Sequence, residues 1–448
     1  MLLFLSFSLA LQLPLLSSGL TRKERFPSVE ERIQLYSSNW YEPPCSSKKG
    51  KHFYPWHHPS PDQLQVSNTT FGLDIIPDQV FYLTEDILRD CARDIDENVT
   101  LEELPTSEHI RFRHNMRMYC VDSVEMFDII DHHLSSSSNA NNVPILMQFG
   151  DMKSSHVYGM VDLPHFKKFR SAASSPQALQ HAVESCRHDQ PLDTVHRGTL
   201  SGGYMQPIVW KLATHRHYRQ LPNVFRHDTP WEEKRDMAIF RGQLTGALRV
   251  YDKTKSDLEN CHNMWRCRLV LESNSSLYVD AKLTTTRNRL PTTIAGVELV
   301  GPTITIREMM RSKAIIMLEG NDVASGLKWA LLSQSIVLMP PPKHTSWCME
   351  ELLEEWVHYI PLLEDASDAG EKMKWIVEND QEARGIAQRG TLWMEDLIFH
   401  PNAAREERMI KEELLRRYFT HFQPAPAPKV KKEKAAATTR KLRKKKKR

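Results

Sequence analysis

The stretch from Lys313 to Tyr359, KAIIMLEGNDVASGLKWALLSQSIVLMPPPKHTSWCMEELLEEWVHY, narrows the possible folds more than any other part of the chain. Ala314 to Leu318 is a short apolar run of the kind that forms a buried parallel strand. It breaks at Glu319-Gly320-Asn321-Asp322, where Gly and Asn permit a tight backbone turn. Asp322 or Ser325 can cap the segment that follows, and Gly326 to Ser333 is predicted to be a helix. Ser335 to Met339 is a second apolar strand, ended by Pro340, Pro341 and Pro342. A strand that feeds a helix through such a turn gathers main-chain N–H groups at one point and suits an anion. Lys328, one turn into that helix, adds a positive charge. The plain alternative is a βαβ unit with no ligand.

Upstream, a second strand-to-turn junction has a similar character. Met237 to Arg241 is predicted as a strand running into Gly242-Gln243-Leu244-Thr245-Gly246. Glycine lets a backbone approach a phosphate closely and Thr245 offers a hydroxyl. Val143 to Phe149 is another apolar strand, ending at Gly150-Asp151. Ligands of α/β sheets collect where strands end, so Asp151 is either a functional carboxylate or a turn residue, with Asp162 as the fallback. Alternating strands and helices from Val143 onward predict an α/β fold with mainly parallel sheets.

The rest of the chain is read more coarsely. Thr21 to Asp62 reads as an irregular arm wrapped on the body. Phe81 to Cys91 and Asp122 to His133 carry helical apolar spacing, and Asn260 to Glu272 and Asp280 to Arg289 read as helical or connecting structure. Thr305 to Arg311 is a short helix, Val357 to Pro361 a strand, and two helices follow, one opening after Asp368 and one over Glu382 to Phe399. Glu407 to Tyr418 is a last helix returning toward the N-terminal half.

Charge and cysteine use bound the function classes. The 448 residues carry a formal net charge of +3. From Pro424 to Arg448 there are twelve Lys or Arg and one Glu, a local +11 that leaves the remainder at −8. A mildly acidic body with a basic appendage argues against nucleic-acid binding by the folded part. The tail is expected to be disordered and to contact an anionic surface, and a nuclear or retrieval signal stays open beside that. Residues 1–19 resemble a secretory signal peptide, with a type II anchor as the alternative. None of the seven cysteines has metal-site pairing; Cys261 and Cys267 are spaced for a local bridge in an oxidising lumen. Asn68, Asn98 and Asn274 head glycosylation triplets. The clustered histidines His132-His133, His196, His215, His217 and His227 read as loop residues.

Taken together, EGNDVAS-LKW, then S-S-V-MP-P--SW-ME, then HY, resembles the signature of glycosyltransferase family 90. That family holds Rumi-like protein O-glucosyltransferases, capsule-associated xylosyltransferases and lipopolysaccharide-core glycosyltransferases. The likeness is nearest the lipopolysaccharide branch and extends more weakly from Pro144 to His400. It implies a GT-B-like architecture, two Rossmann-like domains facing across a cleft, and a UDP-sugar donor, with glucose or xylose the usual sugars. The acceptor would be a protein or glycan hydroxyl, without a metal or other cofactor. In the family the W--K-----FRG--TG pattern faces the donor, which carries over to Arg241, Gly242 and Thr245. Gly320, Asn321, Asp322, Ala324, Ser325 and Lys328 would hold the diphosphate, Glu350 the ribose, and Asp151 would take the acceptor proton. This chain departs from the eukaryotic branch, where an Arg follows the Ala-Ser pair. Gly326-Leu327-Lys328 stands here instead, which weakens the protein-acceptor reading.

The expected domains are 20–235 on the acceptor side, 236–400 for the nucleotide-sugar, 401–423 as the return helix and 424–448 as the tail. The expected place is the lumen of the endoplasmic reticulum or Golgi. The rival reading is a non-catalytic glycan- or nucleotide-binding relative that keeps the scaffold.

Overall fold

The computed structural model describes residues 21–37, 80–83, 122, 125, 126, 129, 145–148, 166–172, 207–212, 217, 218, 220–246 and 251–421. The expected signal peptide, Asp151, Asp162, Asn68, Asn98 and the basic tail lie outside them.

Helices α1 (Arg22–Arg25) and α2 (Val29–Ser37) open the described chain. The arm is therefore helical over this part rather than irregular, because Ile33 and Tyr36 recur on one face and are buried. Strands β1 (Val80–Leu83), β2 (Ile145–Gln148), β3 (Phe166–Lys167), β4 (Phe169–Ser171) and β5 (Ile208–Val209) follow. β1 replaces the start of the helix expected over Phe81 to Cys91, since Val-Phe-Tyr-Leu pairs antiparallel with β2. A four-stranded sheet runs in the order β1-β2-β3-β5, its last two pairings parallel.

Next come α3 (Leu221–His227), β6 (Arg235–Gln243), α4 (Asp257–Asn263), α5 (Trp265–Ser273) and β7 (Val279–Thr285). β7 corrects the helical reading of Asp280 to Arg289. Its buried and half-buried residues alternate one by one, the period of a strand covered on one face. The chain continues through the hairpin β8 (Thr293–Ile294) and β9 (Val297–Glu298), then α6 (Ile306–Met309), β10 (Ser312–Ile316), α7 (Leu327–Leu332), β11 (Ile336–Met339), β12 (His344–Ser346) and β13 (Ile360–Pro361). It closes with α8 (Ala369–Glu378), α9 (Asp380–Met394), a π-turn over Glu395–Phe399 and α10 (Ala403–His421).

The larger sheet has five strands in the order β13-β11-β10-β6-β7, all parallel. Numbered by appearance this is 2-1-3-4-5, the order of flavodoxin-like doubly wound sheets. Each face has its own core. Ala238, Phe240, Ile316 and Leu338 pack with Cys267, Val270, Met373 and Ile386 on one side. Ile239, Ile315, Val337 and Met339 pack on the other with α7, Trp393 and the smaller sheet's Phe166 and Ile208. β4 also pairs antiparallel with β12, stitching the N-terminal segment to the strand that follows β11.

α10 lies against α2, and carboxylates make the joint. Glu406 meets Arg22 at 2.7 Å and Arg32 at 2.5 Å, and Glu407 lies between Lys211 and Lys411. Hydrogen bonds from Arg22 and Arg32 hold the Glu406 carboxyl at about 2. Burial would raise Glu407, but Lys211 and Lys411 outweigh it and hold that carboxyl at about 2 as well. A carboxyl depressed in the folded state stabilises above its ordinary titration near 4.5 and loses that contribution as pH falls toward 2. Denaturant melts should therefore show stability dropping between about pH 5 and pH 2, and Glu406→Gln with Glu407→Gln should be less stable at pH 7 with a shallower drop in that window.

Candidate functional site

The order 2-1-3-4-5 creates a switch point between β6 and β10, where successive connections leave in opposite directions; such sheets bind ligands outside the carboxyl ends of the strands there. Gln243-Leu244-Thr245-Gly246 ends β6, and Met317 to Asn321 ends β10, so both sequence motifs meet at this point. The Gly246 N–H donates to Asn321 Oδ1 at 2.9 Å. A Cβ on Gly320 would stand 2.3 Å from Thr245 Oγ1, and one on Gly246, at φ +75°, would stand 3.0 Å from the Gly320 carbonyl. The two loops approach this closely because neither glycine has a side chain.

Beside this contact lies a crevice of about 450 Å3, partly open to solvent, between the ends of β10 and β11. Its walls include Trp265, Glu319, Ala324, Leu327, Pro341 and Glu350. The start of α7 thus borders an opening rather than a packed interior.

The expected capping does not occur. Gly326 occupies the N-cap of α7 with no side-chain cap. Asp322 forms an ion pair with buried Lys168, 2.5 Å away, from the turn between β3 and β4. With 6 residues, α7 has fewer than two turns, so its aligned peptide dipoles are few and side-chain cations matter more at this site.

Lys328 is a correction. It is fully buried and its Nζ lies 2.6 Å from Glu350 Oε1, so it holds a protein carboxylate instead of reaching into the crevice. Glu350 is itself 1% exposed and also accepts from the Ser346 main-chain N–H at 2.6 Å and hydroxyl at 2.7 Å. It sits in a 3-10 turn, Glu350–Leu352, opened by Met349 at φ 59°. A carboxylate has about four lone-pair sites, and with the Ser346 hydroxyl also 3.0 Å from Oε2 all of them are engaged, so Glu350 lines the crevice as a wall already held by protein donors.

Arg241 also departs from expectation. It lies on the face opposite Phe240 and donates to the Phe240 and Asp280 carbonyls at 2.8 and 3.0 Å and to the Asp280 carboxylate at 2.9 Å. That binds it to edge strand β7, away from the crevice walls. Gly242 stands under the Phe240 ring, whose Cζ would be 3.0 Å from an added Cβ.

Arg266 was missed in the sequence. Its guanidinium donates to the Gln243 carbonyl at 2.9 Å and to the Leu318 carbonyl, one from each strand flanking the switch point. Burial pulls its pKa down to about 10, with Asp322 and Glu319 pulling it back up, so it is cationic at neutral pH. Its buried Nε has no partner. The Cys261–Cys267 disulfide closes the turn that presents Arg266 and Trp265. That bridge was the available signal, because five residues pinned at both ends project whatever they carry.

A family model matches residues 217–402, described as glycosyl transferase family 90. Across this stretch, 186 of the 448 residues, the chain resembles that family. The family 90 segment contains the whole five-stranded sheet, the switch point and the crevice. The chain is 32% identical over 123 residues to O-glucosyltransferase LpsA of Dichelobacter nodosus, covering 27% of this chain and 37% of that one. It is 35% identical over 92 residues to Protein O-glucosyltransferase 3 of Homo sapiens, covering 20% and 18%. Uncharacterized protein 035R of Invertebrate iridescent virus 3 is 28% identical over 179 residues, covering 37% and 15%. The match thus spans little more than a third of the length of the first relative and less than a fifth of the other two.

Removing one member of a buried pair strands the other's charge and costs roughly 3–5 kcal/mol. Lys328→Met should therefore destabilise by about that much in chemical melts, and adding Glu350→Gln should recover most of it. A single variant as stable as wild type would mean the pair is not closed as described.

Proposed function

We propose that the chain is a glycosyltransferase that moves a sugar, glucose or xylose, from a UDP-sugar to a hydroxyl of a protein or glycan acceptor. The observation that supports it most is the meeting of both family 90 motifs at the switch point, with an open crevice beside them. In this reading the uridine diphosphate lies along the crevice. Arg266 and the main-chain amides of Asn321 to Ser325 face the diphosphate, and a ribose hydroxyl reaches Glu350 by exchanging with the Ser346 hydroxyl, which now bridges both carboxylate oxygens. Trp265 supplies an aromatic wall for the base.

The reaction is a displacement at the anomeric carbon. The acceptor oxygen forms a bond to that carbon, the bond to the diphosphate oxygen breaks, and the acceptor proton passes to a base. Asp151 is the base of this reading. Charge grows on the departing diphosphate as the bond lengthens, and a fixed cation with preset N–H groups stabilises it without reorganising. Lys328 acts here by holding Glu350 in place, and Arg241 by fixing the end of β6 to β7.

The same reading takes a GT-B-like arrangement, with the N-terminal half facing the family 90 half across a cleft. It places the protein in the secretory lumen. Two features support that: the Cys261–Cys267 disulfide and the exposed Asn274 at the head of its triplet.

Incubation with UDP-glucose or UDP-xylose and glycan or peptide acceptors should release UDP. Losing one group that stabilises developing charge costs roughly 100-fold in turnover. Arg266→Ala should show a loss of about that size, Arg266→Lys a smaller one, and Asp151→Asn should abolish turnover while keeping UDP affinity. UDP binding without turnover of any donor would favour the non-catalytic relative.

A further inference from the structure

A second cavity, partly open to solvent, lies beside Trp347, whose ring centroid is 5.7 Å from Lys328 Nζ. It is framed by α2, the end of β5 and α10. Trp210 and Trp347 line it, 1% and 3% exposed, and Tyr218 stacks on Trp347 with ring centroids 4.4 Å apart.

Its polar groups include both paired and unpaired ones. The charged ones are paired. Glu407 joins Lys211 to Lys411, Lys411 also meets Glu125 at 2.7 Å, and Arg32 meets Glu406 at 2.5 Å. Of the neutral ones, the Tyr36 hydroxyl donates to the Trp347 carbonyl at 2.7 Å, whereas Trp210 Nε1, Trp347 Nε1 and the Tyr218 hydroxyl are buried without a hydrogen-bond partner. Buried donors left unpaired carry a desolvation cost, so two indole N–H groups and a phenol at one cavity call for acceptor oxygens. An anion would compete with carboxylates already seated on the cations, and an apolar molecule would leave the three donors unpaired. A neutral ring with C–H faces to lie on indoles and oxygens around its edge satisfies both conditions.

We propose that this cavity binds a neutral sugar ring, a subsite for a non-reacting residue of a glycan acceptor. The ligand class follows from the cavity itself; that the ring belongs to the acceptor rests on the glycosyltransferase reading above. The geometry suits a remote ring. Lys328 Nζ is 5.7 Å from the Trp347 ring centroid and 2.6 Å from Glu350, which lines the first crevice. Trp347 of this cavity and Glu350 of the first crevice thus both lie close to Lys328.

Saturation-transfer NMR of the full chain, with methyl glycosides of glucose, galactose, mannose and xylose as probes, tests this. At least one glycoside should receive saturation, and inorganic phosphate should not displace it. Trp210→Phe and Trp347→Phe keep an aromatic ring and remove the N–H, and each should weaken binding by roughly fivefold, the value of one neutral hydrogen bond. UDP affinity should change less than twofold. Tyr218→Phe, at a half-buried position, provides the same readout if a tryptophan variant does not fold. Failure of every glycoside to bind at tens of millimolar, displacement by phosphate, or undiminished binding in the variants would overturn the proposal and leave water as the occupant. Glycoside binding by a chain that does not bind UDP would support the cavity and count against the donor reading. UDP binding without glycoside binding would overturn the cavity alone.

Discussion

The close approach of two loops at the ends of β6 and β10 is the contact on which the rest depends. Gly246 and Gly320 bring the backbones together, and the Asn321 side chain closes the gap by accepting from the Gly246 N–H. A parallel sheet leaves its strand-end carbonyls pointing into the crevice region, where they need donors. Arg266 provides them, bonding one carbonyl from each strand while keeping its Nε unpaired. Its helix is anchored to the preceding one by the Cys261–Cys267 bridge. Cation, glycine turns and crevice are therefore one construction rather than separate features.

The Lys328–Glu350 pair plays a different part. Two charges this deeply buried gain from each other only if their remaining hydrogen bonds are met, and Ser346 meets them with both its N–H and its hydroxyl. That fixes the loop from β12 through the 3-10 turn, and with it Trp347 on one side and the Glu350 carboxylate on the other. One ion pair thus shapes the walls of both cavities, which explains why a lysine sits in a helix whose six residues are all buried.

Much of this was legible in the sequence and some was not, for physical reasons. β10 and β11 announce themselves because central parallel strands are covered on both faces and read as unbroken apolar runs. β7 stands at the sheet edge, and its Val-Asp-Ala-Lys alternation was read as connecting structure because short amphipathic runs suit either period. The turn chemistry of Glu319 to Asp322 was visible. That Asp322 would leave the helix to pair with Lys168 was not, since the partner lies far away in sequence. Lys328 and Arg241 look like free cations when read locally. Only the fold brings Glu350 and Asp280 to them, and only the fold carries Arg266 to the switch point.

The central claim is that a nucleotide diphosphate occupies the switch-point crevice. Hydrogen–deuterium exchange of the full chain with and without UDP tests it most directly. The account predicts slowed exchange in peptides covering 243–246, 264–268 and 317–327, with little change in 207–212. Slowing confined to 207–218, or none at all at UDP concentrations that raise the melting temperature, would contradict it.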